Sequence, residues 1–136
     1  MHIVIMDGQG GRLGSQMIRA ILERWPDAEL TAIGTNATAT AAMMKAGARQ
    51  GATGENPAIV ACRRADIIIG PIGIVIADSL LGEITPAMAV AVGQAAAVRI
   101  LLPVNRCDNI VAGVSRLTAS ELMADALEKL AAVLEK

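Results

Sequence analysis

Four apolar residues, Ile3-Val4-Ile5-Met6, run directly into Gly8-Gln9-Gly10-Gly11-Arg12-Leu13-Gly14, and an amphipathic stretch begins at Leu13. Those seven residues hold four of the chain's thirteen glycines. A buried strand, a glycine-rich turn and a helix, in that order, leave few folds open. The same order makes a cradle for a phosphate. Glycine lets the backbone approach a ligand closely, and the first free N–H groups of the helix point at it.

The rest of the chain repeats the alternation. Residues 2–7 read as the first strand, bounded by Asp7-Gly8. The helix that follows has Leu13, Met17, Ile18, Ile21, Leu22 and Trp25 at helical spacing, and Pro26 stops it. Glu29–Gly34 is a second strand. An alanine-rich helix from about Asn36 to Ala46 closes on Gly47 at C′. The segment 51–56 reads as a loop, and Asn56-Pro57 as a helix start with Asn56 as N-cap, Arg63 and Arg64 favouring the far end. Asp66-Ile67-Ile68-Ile69-Gly70 is a wholly apolar strand of the kind buried on both faces.

Gly70-Pro71-Ile72-Gly73 forms a second glycine-rich turn, and Ile74–Leu81 reads as a short helix. Thr85-Pro86 starts another, spanning 86–97, and Val98–Val104 is a fourth strand. Ile110–Val114 is the expected fifth. Thr118 and Glu121 have capping-box spacing and open the terminal helix. This order predicts an α/β protein: a three-layer Rossmann-like sandwich, one domain over 1–136, with a mostly parallel sheet of four or five strands.

Composition removes several classes of partner. Net charge is −1, charged residues are 18 %, and Trp25 is the only aromatic residue. A nucleic-acid surface needs cations and stacking platforms, so none is expected. The longest uncharged stretches, Ile67–Ala77 and Ile84–Val98, fall short of the ~18 apolar residues of a membrane span. The N-terminus reads into a strand rather than a signal peptide, and Cys62 and Cys107 are too far apart for a metal or redox motif. A cytoplasmic protein with reduced thiols and no metal is expected. The helix at 86–97 is apolar nearly all round, which predicts a homo-oligomer contact there.

Ligands of open α/β sheets sit at the carboxyl ends of the strands. That rule selects Gly8, Gln9, Gly10, Gly11, Arg12 and Gly14 for phosphates. Thr35 and Asn36 would face a ribose, and Gly70, Pro71 and Gly73 an adenine or second phosphate. NAD or NADP is the expected type of cofactor. The turn departs from the dinucleotide fingerprint, because its third glycine falls at Gly14 and Leu13 takes the usual place.

The ribose acid is missing after the second strand, where the chain reads Gly34-Thr35-Asn36. Asn36 reads equally as the N-cap of the second helix. Asp7 would repel a phosphate unless it turns away to bind the loop's own N–H groups, or holds a metal or ribose. Cys107, beside Arg106, is a candidate thiolate. Asp78, Glu83 and Glu55 are carboxylates next to the glycine turns, each equally explained by capping or exposure.

Several strings come in order: Asp-Gly-Gln-Gly-Gly at 7–11, Gly-Thr-Asn-Ala-Thr-Ala-Thr at 34–40, Gly-Ala-Thr-Gly-Glu-Asn at 51–56, Ala-Asp-Ile-Ile-Ile-Gly-Pro-Ile-Gly at 65–73 and Leu-Gly-Glu-Ile-Thr-Pro at 81–86. Together they resemble a small bacterial domain-of-unknown-function family with a Rossmann-like glycine-rich N-terminus. The resemblance implies a compact, complete bacterial cytoplasmic protein and brings no catalytic residues with it. Three functions stay open: a nucleotide- or dinucleotide-binding protein (if an enzyme, a small NAD(P)-dependent oxidoreductase), a non-enzymatic sensor of a phosphorylated metabolite, and a structural oligomer.

Overall fold

The computed structural model describes residues 1–104 and 108–136. Five parallel strands, β1 (Ile3–Asp7), β2 (Leu30–Gly34), β3 (Gln50–Thr53), β4 (Ile67–Pro71) and β5 (Val98–Leu102), lie in the order β3-β2-β1-β4-β5. Helices α1 (Arg12–Arg24), α2 (Ala37–Lys45), α3 (Glu55–Arg64), α4 (Pro86–Gln94) and α5 (Ala119–Leu134) connect and cover them.

Right-handed crossovers explain the layers. The chain steps outward from β1 to β2 to β3, so α1 and α2 fall on one face. It then jumps back past β1 to β4 and continues to β5, which sends α3 and α4 to the other. Strand periodicity divides the core accordingly. Ile3, Ile5, Ile67 and Ile69 pack with Met17, Ile18, Ile21 and Met43, together with Leu130 of α5. Val4, Met6 and Ile68 pack with Ala58, Cys62, Met88 and Val92.

Several helix ends follow the sequence. Asn36 accepts a bond from the Ala39 N–H, Thr85 caps α4, and Thr118 and Glu121 make a full capping box. Elsewhere the structure corrects the reading. The fifth strand is Gln50–Thr53, read above as the start of a loop. As an edge strand it pairs only with β2 and carries no apolar run to announce it. Ile110–Val114 is not a strand, and Ile110 is 95 % exposed. The helix α3 begins at Glu55 with Gly54 as its N-cap, not Asn56.

The segment after β4 is not a helix over 74–81. It is a single 3-10 turn, Ile72–Val75, followed by tight turns in which Asp78, Leu80, Leu81 and Gly82 all take positive φ. Four left-handed residues within five cannot continue a right-handed helix. Helix α4 stops at Gln94, three residues short of the expected end. Among the described residues, no helix is long and apolar enough to cross a membrane.

Gly70 shows how tightly β1 and β4 approach: a Cβ there would stand 2.4 Å from the Met6 carbonyl oxygen. Gly70→Ala is expected to destabilise the fold by about 1–3 kcal/mol through overpacking. A lowered urea midpoint with unchanged slope checks it.

Candidate functional site

The topology opens one crevice. At the carboxyl ends of β1 and β4 the chain leaves toward opposite faces, so the two strands diverge at a switch point. Three segments meet there: the glycine turn after β1, Thr35 and Asn36 at the end of β2, and the turns between β4 and α4.

Asp7, the last residue of β1, is buried. Its carboxylate folds back under the glycine turn. The Gly8 N–H donates to Oδ1 at 2.8 Å and the Gly14 N–H to Oδ2 at 2.7 Å. Gly14 lies in the first turn of α1, so Asp7 takes part of the anion position that the sequence offers to a phosphate. Burial pushes the Asp7 carboxyl above its ordinary range. The amides of Gly14, Gly8 and Leu13 oppose that shift, and the negative charge of Glu83 adds to it.

Gly11, at φ 71, is the N-cap of α1, and its N–H bonds the Gly8 carbonyl. Gly14 packs tightly, and a Cβ there would have to displace the Met43 sulfur, 2.5 Å away. It lets α1 pack closely on Met43 of α2 and on Asp7 of β1, whose Cβ would stand 3.0 Å from a Gly14 Cβ; the contact to β1 is the helix–strand role that the fingerprint gives to its third glycine. Gly10 faces open space. The backbone N–H groups of Gly10 and Arg12 have no protein acceptor among the described residues, and the Arg12 side chain is exposed.

Glu83 closes the crevice from the β4 side. Its Oε1 accepts three bonds: from the Gln9 N–H at 2.9 Å, from the Thr35 hydroxyl at 2.5 Å and from the Asn36 side-chain amide at 2.8 Å. The same Asn36 nitrogen donates to the Gln9 carbonyl while its oxygen caps α2. Asn36 is therefore the N-cap of α2, and its amide nitrogen joins the β1 turn to Glu83. Partial burial of Glu83 favours the protonated acid, but the bonds from Thr35, Gln9 and Asn36 outweigh it and hold the carboxyl below its ordinary range. Its second oxygen has no partner among the described residues.

Gly70, Pro71 and Gly73 are buried, so they do not line the open crevice. They support the segment that carries Glu83. The Ser79 hydroxyl donates to the Gly73 carbonyl, and Leu80 reaches Gly8, whose Cβ would meet it at 2.9 Å. Asp78 is exposed, and Glu55 accepts a bond from Thr85 at 2.6 Å, tying α3 to the start of α4. Cys107, with Arg106, lies outside the described residues. Cys62 is a buried thiol whose pKa burial raises. Among the described residues, no three His, Cys, Asp or Glu side chains group as metal ligands.

Sequence reasoning underrated Glu83. It is 47 residues beyond Asn36 in the chain, and only the crossover from β3 to β4 brings the two together.

The strand order and the helices on both faces define a doubly wound α/β protein with one switch point between β1 and β4. The chain belongs to the family described as Domain of unknown function (DUF3842), which matches residues 2–135. No curated protein matches it. Among solved structures, it is similar to a dodecameric FMN-dependent Ubix-like decarboxylase from Escherichia coli O157:H7. Identity there is 20 % and the TM-score 0.45, with 96 % of this chain and 76 % of that one covered. At that score the two backbones diverge too far for residues to be matched one to one.

The two carboxyls titrate in opposite senses. Glu83, lowered from 4.5, contributes stability that is full above that value and is lost as pH falls through its folded pKa. Asp7, raised from 3.8, contributes below that value and loses its contribution as pH rises through its folded pKa. Glu83→Gln is expected to lower stability by about 1 kcal/mol at neutral pH, discounted for partial exposure. The gap to the parent should close as pH falls below about 4.5, the ordinary value. Urea unfolding across pH 3 to 7 reads it, and a gap independent of pH would contradict the assignment.

Proposed function

We propose that the chain binds a nucleotide or dinucleotide at the carboxyl edge of its sheet. One observation carries the reading: the backbone N–H groups of Gly10 and Arg12 stay without a protein acceptor among the described residues, beside a Glu83 carboxylate that the β1 turn and the end of β2 hold through one oxygen. The phosphate lies at those two amides and the Arg12 guanidinium, on the outer side of the turn. Asp7 and Glu83 repel an anion from the inner side. Gly8, Gln9, Gly11 and Gly14 shape the turn, and Thr35 and Asn36 form the second wall. Gly70, Pro71 and Gly73 lie beneath.

NAD or NADP would bring its own redox chemistry. A sensing role is the second reading, and a specific observation favours it. Asp7 spends both oxygens on backbone amides and Glu83 spends one on three donors, so both carboxylates serve to build the site.

Thermal unfolding tests the binding. A ligand at 100 times its Kd adds ~2.7 kcal/mol, a rise of several degrees for a domain this size. AMP, NAD, NADP and inorganic phosphate are the probes. Gly10→Asp adds a charge where a Cβ meets nothing, so it should abolish the rise and leave the fold intact. If none of the probes moves the midpoint, the nucleotide reading fails.

A second copy of the chain is the proposed partner of the α3–α4 face. Val90 stands 53 % exposed there, and Ile59, Ala87 and Ala91 line the groove between the helices with it. Light scattering at micromolar concentration is expected to give a mass above that of one chain, and Val90→Glu to lower it.

A further inference from the structure

Resting on the nucleotide reading above, we infer that Glu83 is the ribose-recognising carboxylate of the site. The ligand is therefore a nucleotide with free 2′- and 3′-hydroxyls, and 2′-phosphorylated nucleotides are excluded. In doubly wound folds an acid at the end of the second strand accepts bonds from the ribose diol. Here that strand ends in Gly34-Thr35-Asn36 and offers none. A carboxylate nevertheless stands at this place. It arrives from the other side of the switch point and docks on Thr35, Asn36 and Gln9 through a single oxygen. The other oxygen remains for the ligand, and the side chain is partly exposed.

The segment behind Glu83 holds it in position. Leu80 is buried, the Ile84 N–H bonds the Ser79 carbonyl, and the Asp78 N–H bonds the Ile84 carbonyl at 2.7 Å. Three donors on Oε1 orient the carboxylate further, so little freedom is lost when a diol binds.

Its chemistry then sets the selectivity. A carboxylate accepts hydroxyl protons in short, charge-assisted bonds. A 2′-phosphate offers no proton and sets its own negative charge beside Glu83. Glu83 could alternatively occupy the ligand's own place and leave when a nucleotide enters. That would forfeit three bonds and still leave Asp7 beneath the incoming anion.

Calorimetric titration of the full chain with AMP, 2′-deoxy-AMP and adenosine 2′,5′-bisphosphate separates these cases. AMP is expected to bind, the deoxy analogue roughly 10-fold more weakly for its lost charged bond, and the bisphosphate roughly 100-fold more weakly. Glu83→Gln should weaken AMP and narrow the gap to the bisphosphate. Equal binding of AMP and the bisphosphate by the parent protein overturns the inference and leaves the nucleotide reading standing. So does tighter AMP binding by Glu83→Gln, which would make Glu83 a competitor of the ligand. If none of the three binds, the nucleotide reading falls and takes this inference with it. The parent protein's ratio alone decides the matter should Glu83→Gln not fold.

Discussion

Asp7 ends the central strand with a carboxylate that burial drives toward protonation, and the first turn of α1 is placed so that its amides counter that tendency. The Gly8 and Gly14 N–H groups reach both oxygens, which sets the direction in which α1 departs from β1. Gly14 lets the helix come so close without displacing Met43, whose sulfur lies in the space a side chain would occupy. Helix and strand are thus joined by a buried charge–amide contact as well as by the apolar packing of Met17, Ile18 and Ile21. The glycine turn is directed inward onto a carboxylate of its own chain. Its outer rim keeps the N–H groups of Gly10 and Arg12 without a protein acceptor among the described residues.

The second carboxylate completes the crevice from the opposite side. Glu83 joins the β1 turn to the end of β2 through one oxygen, although it belongs to neither. It reaches that position because the chain after β4 abandons helical geometry. The left-handed residues at 78 and 80–82 double the backbone back on itself, and burial of Leu80 holds the fold of the segment. Local backbone strain and a positioned side chain occur together, a pairing common where a structure is shaped around a ligand.

Much of the architecture was legible in the residues. The β-branched runs at 3–5 and 67–69 read as buried strands, and the caps at Asn36, Thr85 and Thr118 announced themselves by side-chain chemistry. The failures have physical causes. β3 carries one glycine, two polar residues and an alanine, since an edge strand exposed on its rim needs no apolar alternation. The stretch 74–81 is apolar enough for a helix, but its hydrophobic residues serve turns that only the surrounding packing imposes. Ile110 and Val114 have strand-like side chains but form no ladder with the sheet, whose strands are β3-β2-β1-β4-β5.

At the site the division is sharper. Short-range chemistry in the sequence determined a strand, a glycine turn and a helix, and with them the geometry of the loop at the carboxyl end of β1. It also allowed Asp7 to fold onto its own loop, since the partners are within seven residues. Local sequence shows that no carboxylate directly follows β2, where the chain reads Gly34-Thr35-Asn36. Only the tertiary structure decided that Glu83 bonds Thr35 and Asn36 there. The order β3-β2-β1-β4-β5 brings residue 83 beside residues 9, 35 and 36, and contacts across such separations depend on strand order, which local propensity does not encode.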